Sequence, residues 1–547
     1  MHEVPSASLA PFLVIRVNGT PIAARGGSWG MDDSRKRIER ERLEPYFRLH
    51  REAHLNIIRN WLGQNTEDVF YDLADEYGLL VLNDFWESTQ DFQLEAQDPA
   101  LFLANARDVI LRHRYHPSIA VWFGRNEGVP QPILNEGLAE LVRTLDGTRL
   151  YTGSSNRVNL QDSGPYAYRP PAAYFTGLAR GFAVELGTPS LATLEALEAS
   201  IPAPDLWPPS DTLAYHDWHF GGNGDIASFM SALADQFGPP SSLPDFERKA
   251  QLMNYDDYRA IFEGFAADLW TRNSGRLIWM THPAWPSNHW QMYSSDYDTQ
   301  ASFYGVKKAC ETVHAQMNLP DHALAVINTT RSARTGLKLE SRILGLDGRQ
   351  LAARVDAVDV PANTGRTLPP VAIASALAAE GNVLVVLKLE DADGTLLSQN
   401  AYWQSRDAAS SRALGDLASQ PVRIRAVALP DDPGAGVAGV TDRIVEVTLQ
   451  NDGKLAVLGA KVTLVGASGE AILPAFYDDN YLMLLPGETR RLEIRYPHGT
   501  RALADARPEA AAVKLRGWNV FATSADVVAA PTVARDFTGL HGRAPAL

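Results

Sequence analysis

Residues 116–128 read HPSIAVWFGRNEG. An apolar run, Ile119 to Phe123, gives way to Gly124, Arg125, Asn126 and Glu127, the pattern of a buried strand that delivers a carboxylate to a loop mouth. In a barrel of parallel strands the chemistry sits just past the C-terminal strand ends, which makes Glu127 a candidate active-site carboxylate. An isolated Asn-Glu pair after a core strand is more often an ordinary surface pair, so the reading depends on what flanks it.

Upstream, LVIRVNGTPIAAR (13–25) reads as two short strands around Asn18-Gly19, a strong hairpin signal. A charged helical stretch (34–54) leads to the strand LNIIRNW (55–61), a helix from Glu67 to a Gly78 stop, the strand LLVLNDF (79–85), and a long helix up to His116. Downstream the alternation continues through RLYTGSS (149–155), GFAVELGTPS (181–190) and RLIWMTHPAWPSNHWQMY (276–293), with helices near 191–199 and 254–273. Strands alternating with helices of this length predict βαβ units and a parallel sheet, and their polar ends suit a (β/α) barrel. A doubly wound sheet shares the pattern, but no Gly-rich phosphate loop recommends a nucleotide site. The strands end in polar or aromatic residues: Arg59, Asn60 and Trp61, then Asn83 and Asp84, then Asn126 and Glu127. Segments 156–174 and 202–225, rich in Pro, Gly and Asp, read as the rim of a pocket. His216, Asp217, Trp218 and His219 in the second are read as rim residues in preference to metal ligands.

Beyond about residue 320 the pattern changes to short strands punctuated by turns, which predicts two immunoglobulin-like β-sandwiches. The expected division is a barrel over 1–319, a sandwich over 320–404, a polar linker over 405–420 and a second sandwich over 421–547. A chain of 547 residues is too long for one core, in keeping with several domains. Its 50 basic and 65 acidic residues include no basic cluster, which argues against nucleic acid or an anionic membrane as partner and for a neutral substrate. Cys310 is the only cysteine, so no intrachain disulfide and no cysteine-based metal site is expected, and its helical setting reads as a buried, inert thiol. No apolar run is long enough to span a membrane. MHEVPSASLAPF lacks the charged start and apolar segment of a signal peptide, so the cytoplasm is the default expectation, with the periplasm or export open if the natural start lies elsewhere.

Glu185 ends a second apolar strand, GFAVE, 58 residues beyond Glu127. Cleaving a glycosidic bond takes two carboxyls, one to protonate the leaving oxygen and one to attack or to activate water, and aromatic faces suit sugar rings. The segments VNGTPIAARGGSW (17–29), HLNIIRNWLGQNTEDVFYDLADEYGLLVLNDF (54–85), HPSIAVWFGRNE (116–127), GFAVELGTPS (181–190) and WMTHPAWPSNHWQ (279–291) together resemble glycoside hydrolase family 2, in particular its β-mannosidase and exo-β-glucosaminidase branch. FYDDNYLMLLPGE (476–488) and RGWNV (516–520) resemble the last sandwich domain of that branch.

The resemblance implies a retaining exo-β-glycosidase on a (β/α)8 barrel, with Glu127 as acid/base, Glu185 as nucleophile and Asn126 on the sugar 2-OH. Retention places such carboxyls about 5–5.5 Å apart. It also implies Trp61 and Trp285 as sugar-contacting residues, the latter on the floor of the −1 subsite, and Asp84 as a brace or a substrate contact. Glu127 has to carry its proton near neutral pH, for which burial or the charge of Glu185 is the expected cause. Neither cofactor nor metal is called for. The expected partner is a β-linked oligosaccharide or glycoconjugate, and the oligomeric state is left open. A Glu at the acid/base position leans toward the mannosidase side, since the glucosaminidases often carry Asp there. Relatives begin with a jelly-roll and an immunoglobulin-like domain before the barrel, whereas this chain starts almost at the barrel, which leaves a catalytically silent carbohydrate-binding scaffold as the competing reading. The separation of 58 residues is short for carboxylates on the fourth and seventh strands, so a shrunken or irregular barrel unit is expected between them.

Overall fold

Asn18 and Gly19 both adopt positive φ, 51° and 80°, and join Arg16–Val17 to Thr20–Pro21 in the tight hairpin that this pair favours. The computed structural model describes residues 2–6, 9–32, 35–89, 95–217, 225–432, 441–498 and 509–530. From Ala24 the chain enters a parallel sheet whose strands, in chain order, are Ala24–Trp29, Ile57–Asn60, Leu80–Asp84, Ile119–Phe123, Leu150–Thr152, Gly181–Ala183 and Asn273–Ile278. Each pairs with its predecessor except at one place, and Asn273–Ile278 returns to pair with Ala24–Trp29.

The exception lies between Thr152 and Gly181. There Gln161 makes a single parallel bridge to Ala183, its N–H donating to the Phe182 carbonyl at 2.9 Å, where a sixth strand would stand. No helix separates Thr152 from Gln161, and only Ala173–Thr176 intervenes before Gly181. This abbreviated unit is why Glu127 and Glu185 are so close in sequence while following the fourth and the seventh barrel positions. Ala24, Ile57, Leu82, Val121, Phe182 and Leu277, from six strands, share one buried cluster, which only a curled sheet brings together. Leu13 and Ile15 join that cluster from the N-terminal segment and close the end of the barrel opposite the strand C-termini.

Amphipathic helices cover the outside; Asp68–Tyr77 buries Phe70, Tyr71, Leu73 and Ala74 and stops at left-handed Gly78. The last long helix runs Leu243–Ala267, starting well before the expected residue 254 because Ser242 caps it, accepting from the Asp245 N–H at 3.3 Å. Cys310 follows Ala301–Ala309 and is buried, which pushes its thiol up to about 12 and leaves it unreactive.

Two all-β units follow. In the first, Val313–Met317, Ala323–Asn328 and Thr364–Pro370 form one antiparallel sheet, and Arg334–Leu344, Gln350–Val360, Asn382–Glu390 and Leu396–Ser405 form another. The first strand starts at Val313, ahead of the change of pattern in the sequence near 320. Short helical turns at Ala408–Arg412 and Ala413–Asp416 lead to the second unit, in which Val422–Asp432, Thr441–Asn451 and Thr489–His498 pair antiparallel and Val457–Val465 pairs with Ala512–Arg516. Both units are tied to the barrel by buried polar contacts: Arg259 Nη1 donates to the Ala401 carbonyl at 2.6 Å, and Arg48 Nη1 to Asp442 at 2.9 Å.

Candidate active site

The C-terminal strand ends gather on one face of the barrel, and their polar residues meet around Arg59. This guanidinium is wholly buried and all three of its nitrogens donate: Nε and Nη2 to the two oxygens of Asp84 (3.1 and 2.6 Å), Nη1 to Glu185 (2.9 Å) and Nη2 also to Asn126 Oδ1 (2.6 Å). One arginine from the second strand thus fixes residues from the third, fourth and seventh barrel positions. Asp84 also accepts from the Leu62 N–H at 3.0 Å, so its oxygens are occupied by protein and it braces Arg59.

Burial acts strongly on these groups. It pushes the Glu185 carboxyl up to about 7, against the pull of Arg59 and with the help of the Glu127 charge. Asp84 is raised for the same reason, again opposed by Arg59. The Arg59 guanidinium, which burial alone would lower, is held above its usual value by Asp84 and Glu185.

Glu127 lies half-buried one residue past this network. Its backbone takes φ 43°, a left-handed conformation that costs a non-glycine residue about 1–3 kcal/mol and is found mostly where function demands it. Its N–H donates to Ser155 Oγ at 3.2 Å, while its carboxylate accepts from Thr89 Oγ1 at 2.9 Å and from the Tyr166 hydroxyl at 3.3 Å. Burial and the negative charges of Glu185 and Glu127 hold the Tyr166 pKa above the usual range, so this phenol lies in the field of both carboxylates. Asn126 Nδ2 donates to Thr89 Oγ1 at 2.9 Å, so this amide is positioned at both ends by protein.

Aromatic rings line the approach. Trp61 meets Trp279 edge to face with ring centroids 4.7 Å apart, and the buried Trp61 indole N–H has no hydrogen-bond partner among the described residues. Trp290 donates to the Tyr166 carbonyl at 2.7 Å. Gly187 makes this closeness feasible: a Cβ there would lie 2.7 Å from the Trp290 ring and 2.8 Å from the Trp279 carbonyl.

The structure thus brings Glu127, Glu185, Asn126 and Asp84 into one hydrogen-bonded set, with Trp61 at the end of the same strand as Arg59. Trp285 packs on His216 (4.8 Å) and Tyr215 (5.3 Å), and the tryptophan that meets Trp61 is Trp279. His216 Nδ1 contacts the Pro286 carbonyl at 2.7 Å; Trp218 and His219 lie outside the described residues. Sequence reasoning assigned no role to Arg59, Thr89, Tyr166 or Trp279. An arginine inside the buried run IIRN was the available signal for the first, and Trp279 stands at the end of its own strand.

Two domain descriptions match the chain: a mannosidase Ig/CBM-like domain over residues 321–406 and an exo-β-D-glucosaminidase Ig-fold domain over 400–520. A mannosylglycoprotein endo-β-mannosidase of Lilium longiflorum is 28% identical across 92% of this chain and 64% of its own length. An exo-β-D-glucosaminidase of Streptomyces avermitilis is likewise 28% identical, over 92% of this chain and 60% of its own. Among solved structures, an exo-chitosanase of Amycolatopsis orientalis superposes with a TM-score of 0.81 at 25% identity, covering 94% of this chain and 65% of that one. The β-D-mannosidase of Dictyoglomus thermophilum shares the fold, with a TM-score of 0.75 at 19% identity over 93% of this chain and 62% of that one. This chain spans less than two thirds of the length of these relatives. On its barrel, its two sandwiches and these matches along nearly its whole length, the chain belongs to the β-mannosidase and exo-β-glucosaminidase branch of glycoside hydrolase family 2.

Proposed function

We propose that this chain carries the catalytic barrel of a retaining exo-β-glycosidase of the β-mannosidase type. Glu127 gives its proton to the leaving glycosidic oxygen while Glu185 attacks the anomeric carbon, and the aglycone departs as the alcohol. Water then adds to the glycosyl-enzyme, losing its proton to Glu127, and frees Glu185. The observation that carries this reading is the hydrogen-bonded chain that joins the two carboxylates at the barrel mouth: Thr89 donates to Glu127, Asn126 to Thr89, and Arg59 to both Asn126 and Glu185. Arg59 supports it by facing Glu185 with a fixed cation, which favours the ionised form an attacking carboxylate needs. Asn126, anchored by Arg59 and Thr89, presents its remaining amide hydrogen toward the sugar 2-OH, and Trp61 offers an indole N–H and an aromatic face. In this reading the barrel through residue 319 performs the chemistry and the sandwiches over 320–404 and 421–547 support it.

A second reading, exo-β-glucosaminidase, is favoured by the glucosaminidase Ig-fold match over 400–520 and by the glucosaminidases among the relatives. Hydrolysis of a panel of 4-nitrophenyl β-glycosides decides between them. Release from the mannoside and not from the glucosaminide supports the first reading, and the reverse supports the second. In Glu185→Ala, loss of turnover with recovery by azide as a glycosyl azide of inverted configuration identifies the nucleophile; no azide adduct and no loss would remove Glu185 from that role.

A further inference from the structure

Apart from the Glu127–Glu185 site, a cavity opens where the helix Leu243–Ala267 meets both β-sandwiches, and it shares no residue with that site. Tyr255, Trp403, Tyr481 and Trp518 contribute to the lining. Trp403 from the first sandwich and Trp518 from the second both pack on Phe237, at ring distances of 5.6 and 4.8 Å, so the aromatic wall of the cavity draws on both sandwiches.

The polar groups of the lining divide into two kinds. The charged ones balance, with four carboxylates and four cations, and most are paired: Arg516 with Glu247 at 2.7 Å, Arg490 with Glu488 at 2.6 Å, Lys308 with Glu311 at 2.7 Å. That balance does not suit a phosphate or an acidic sugar, which would need surplus cations. Other groups are unspent. The Trp403 indole N–H and the Tyr481 hydroxyl are buried, yet neither has a hydrogen-bond partner among the described residues. Tyr481 is only 9% exposed, so its hydroxyl is not satisfied by bulk water. A ligand that offers flat apolar faces together with hydroxyls, and no net charge, fits such a lining. Pyranose rings have that chemistry.

We infer that this cavity is a second, non-catalytic carbohydrate site, which takes an uncharged β-linked oligosaccharide on the aromatic wall and hydrogen-bonds it through Trp403, Tyr481 and Gln399. It rests on the glycosidase reading only for the choice of sugar. Such a site holds the polymer at the junction of the domains while its end enters the barrel, which raises the local concentration of chain ends.

Calorimetric titration of the full-length Glu185→Gln chain with mannotetraose, and separately with chitotetraose, tests it. Two binding events are expected for one of these sugars. Trp61→Ala should abolish one, and Trp403→Ala should weaken the other by about tenfold or more. Trp403→Phe, which keeps the ring and deletes the N–H, and Gln399→Ala guard against a folding defect and should each weaken the same event by a smaller factor, with turnover of a 4-nitrophenyl glycoside unchanged in the Glu185 background chain. A single event lost in Trp61→Ala and untouched by the Trp403 and Gln399 variants overturns the inference and leaves the glycosidase reading standing. Binding lost only in the Trp403 variants, from a protein that hydrolyses nothing, keeps the cavity and overturns the glycosidase reading. Binding of neither sugar overturns the inference.

Discussion

Two regions of this molecule set arginine among carboxylates, and they do so with different charge balance. At the barrel mouth the single cation of Arg59 faces Asp84 and Glu185, with Glu127 beyond, and burial wins: Glu185 is pushed up to about 7. At the junction with the C-terminal sandwich, Glu195 and Glu247 of the barrel face Lys461 and Arg516, with Lys461–Glu195 and Arg516–Glu247 both at 2.7 Å. There the cations win. Burial alone would raise Glu195, yet Lys461 and Arg516 hold it well below the usual carboxylate range. The junction is neutralised and serves cohesion, whereas at the mouth burial outweighs the one cation and leaves Glu185 raised. Carboxyls perturbed in this way gather at functional sites.

The comparison breaks most visibly at Glu185. Glu185→Ala should lower kcat by about 10⁴-fold or more, because among the described residues no other carboxylate touches Arg59 from that side, with single-turnover kinetics as the check. Arg59→Gln comes next, with a loss of about 10²–10³ in kcat/KM, the range for one preorganised electrostatic group. It should also move the acid limb of the kcat/KM profile to higher pH. Glu185 attacks as the anion, so activity falls as pH drops through its value, about 7 in the intact protein; removing the cation that opposes burial raises that value. A limb that stays in place or moves to lower pH would contradict the assignment of Glu185 as the titrating group.

The junction should answer in stability and leave turnover alone. Arg516→Met strips Glu247, whose side chain is 1% exposed, of its partner. Leaving a buried carboxylate unpaired costs about 3–5 kcal/mol, and the partial exposure of Arg516 and the surviving Lys461–Glu195 pair place the effect at the low end. Denaturant titration should show the first unfolding transition at lower concentration, while kcat on an aryl glycoside is retained at temperatures where the variant is folded.

These two regions were unequally legible in the sequence. The mouth could be read because strand ends announce themselves locally: apolar runs stop at Asn126-Glu127 and at Glu185, and Asn18-Gly19 carries its turn in its own backbone preference. The missing sixth strand could not be read, since a single bridge at Gln161 leaves no periodic pattern. Arg59 looked like one polar strand end among several, because its partners lie 25, 67 and 126 residues away. The junction was invisible for the same reason in stronger form. Arg516 and Glu195 are 321 positions apart, and each by itself reads as a solvated surface charge.

The smallest expected effect concerns a third buried cluster, between barrel and first sandwich, where one histidine stands between two carboxylates. His314 is fully buried, with Nε2 3.1 Å from Glu263 and Nδ1 3.0 Å from Glu311. Burial lowers its pKa, but the hydrogen bonds to Glu263 and Glu311 and their charges outweigh that, and the value in the fold is raised above 6.5. A histidine raised on folding adds stability that is fully present below its unfolded value, near 6.5, and is lost as pH climbs through the folded one. Glu185 has the same sign in a lower window: a carboxyl raised from 4.5 to about 7 favours the fold below 4.5 and loses that contribution as pH rises toward neutrality. The two are therefore separable. In the wild type the unfolding temperature should decline from pH 6.5 upward through the folded pKa of His314, and His314→Gln, which keeps a donor without the titration, should flatten that part of the curve while leaving the stretch below pH 6.5 unchanged. Glu185→Gln should do the converse, flattening the stretch between 4.5 and 7. If His314→Gln instead alters the whole curve uniformly, the histidine acts through packing and hydrogen bonding alone, and its charge contributes nothing to holding barrel and sandwich together.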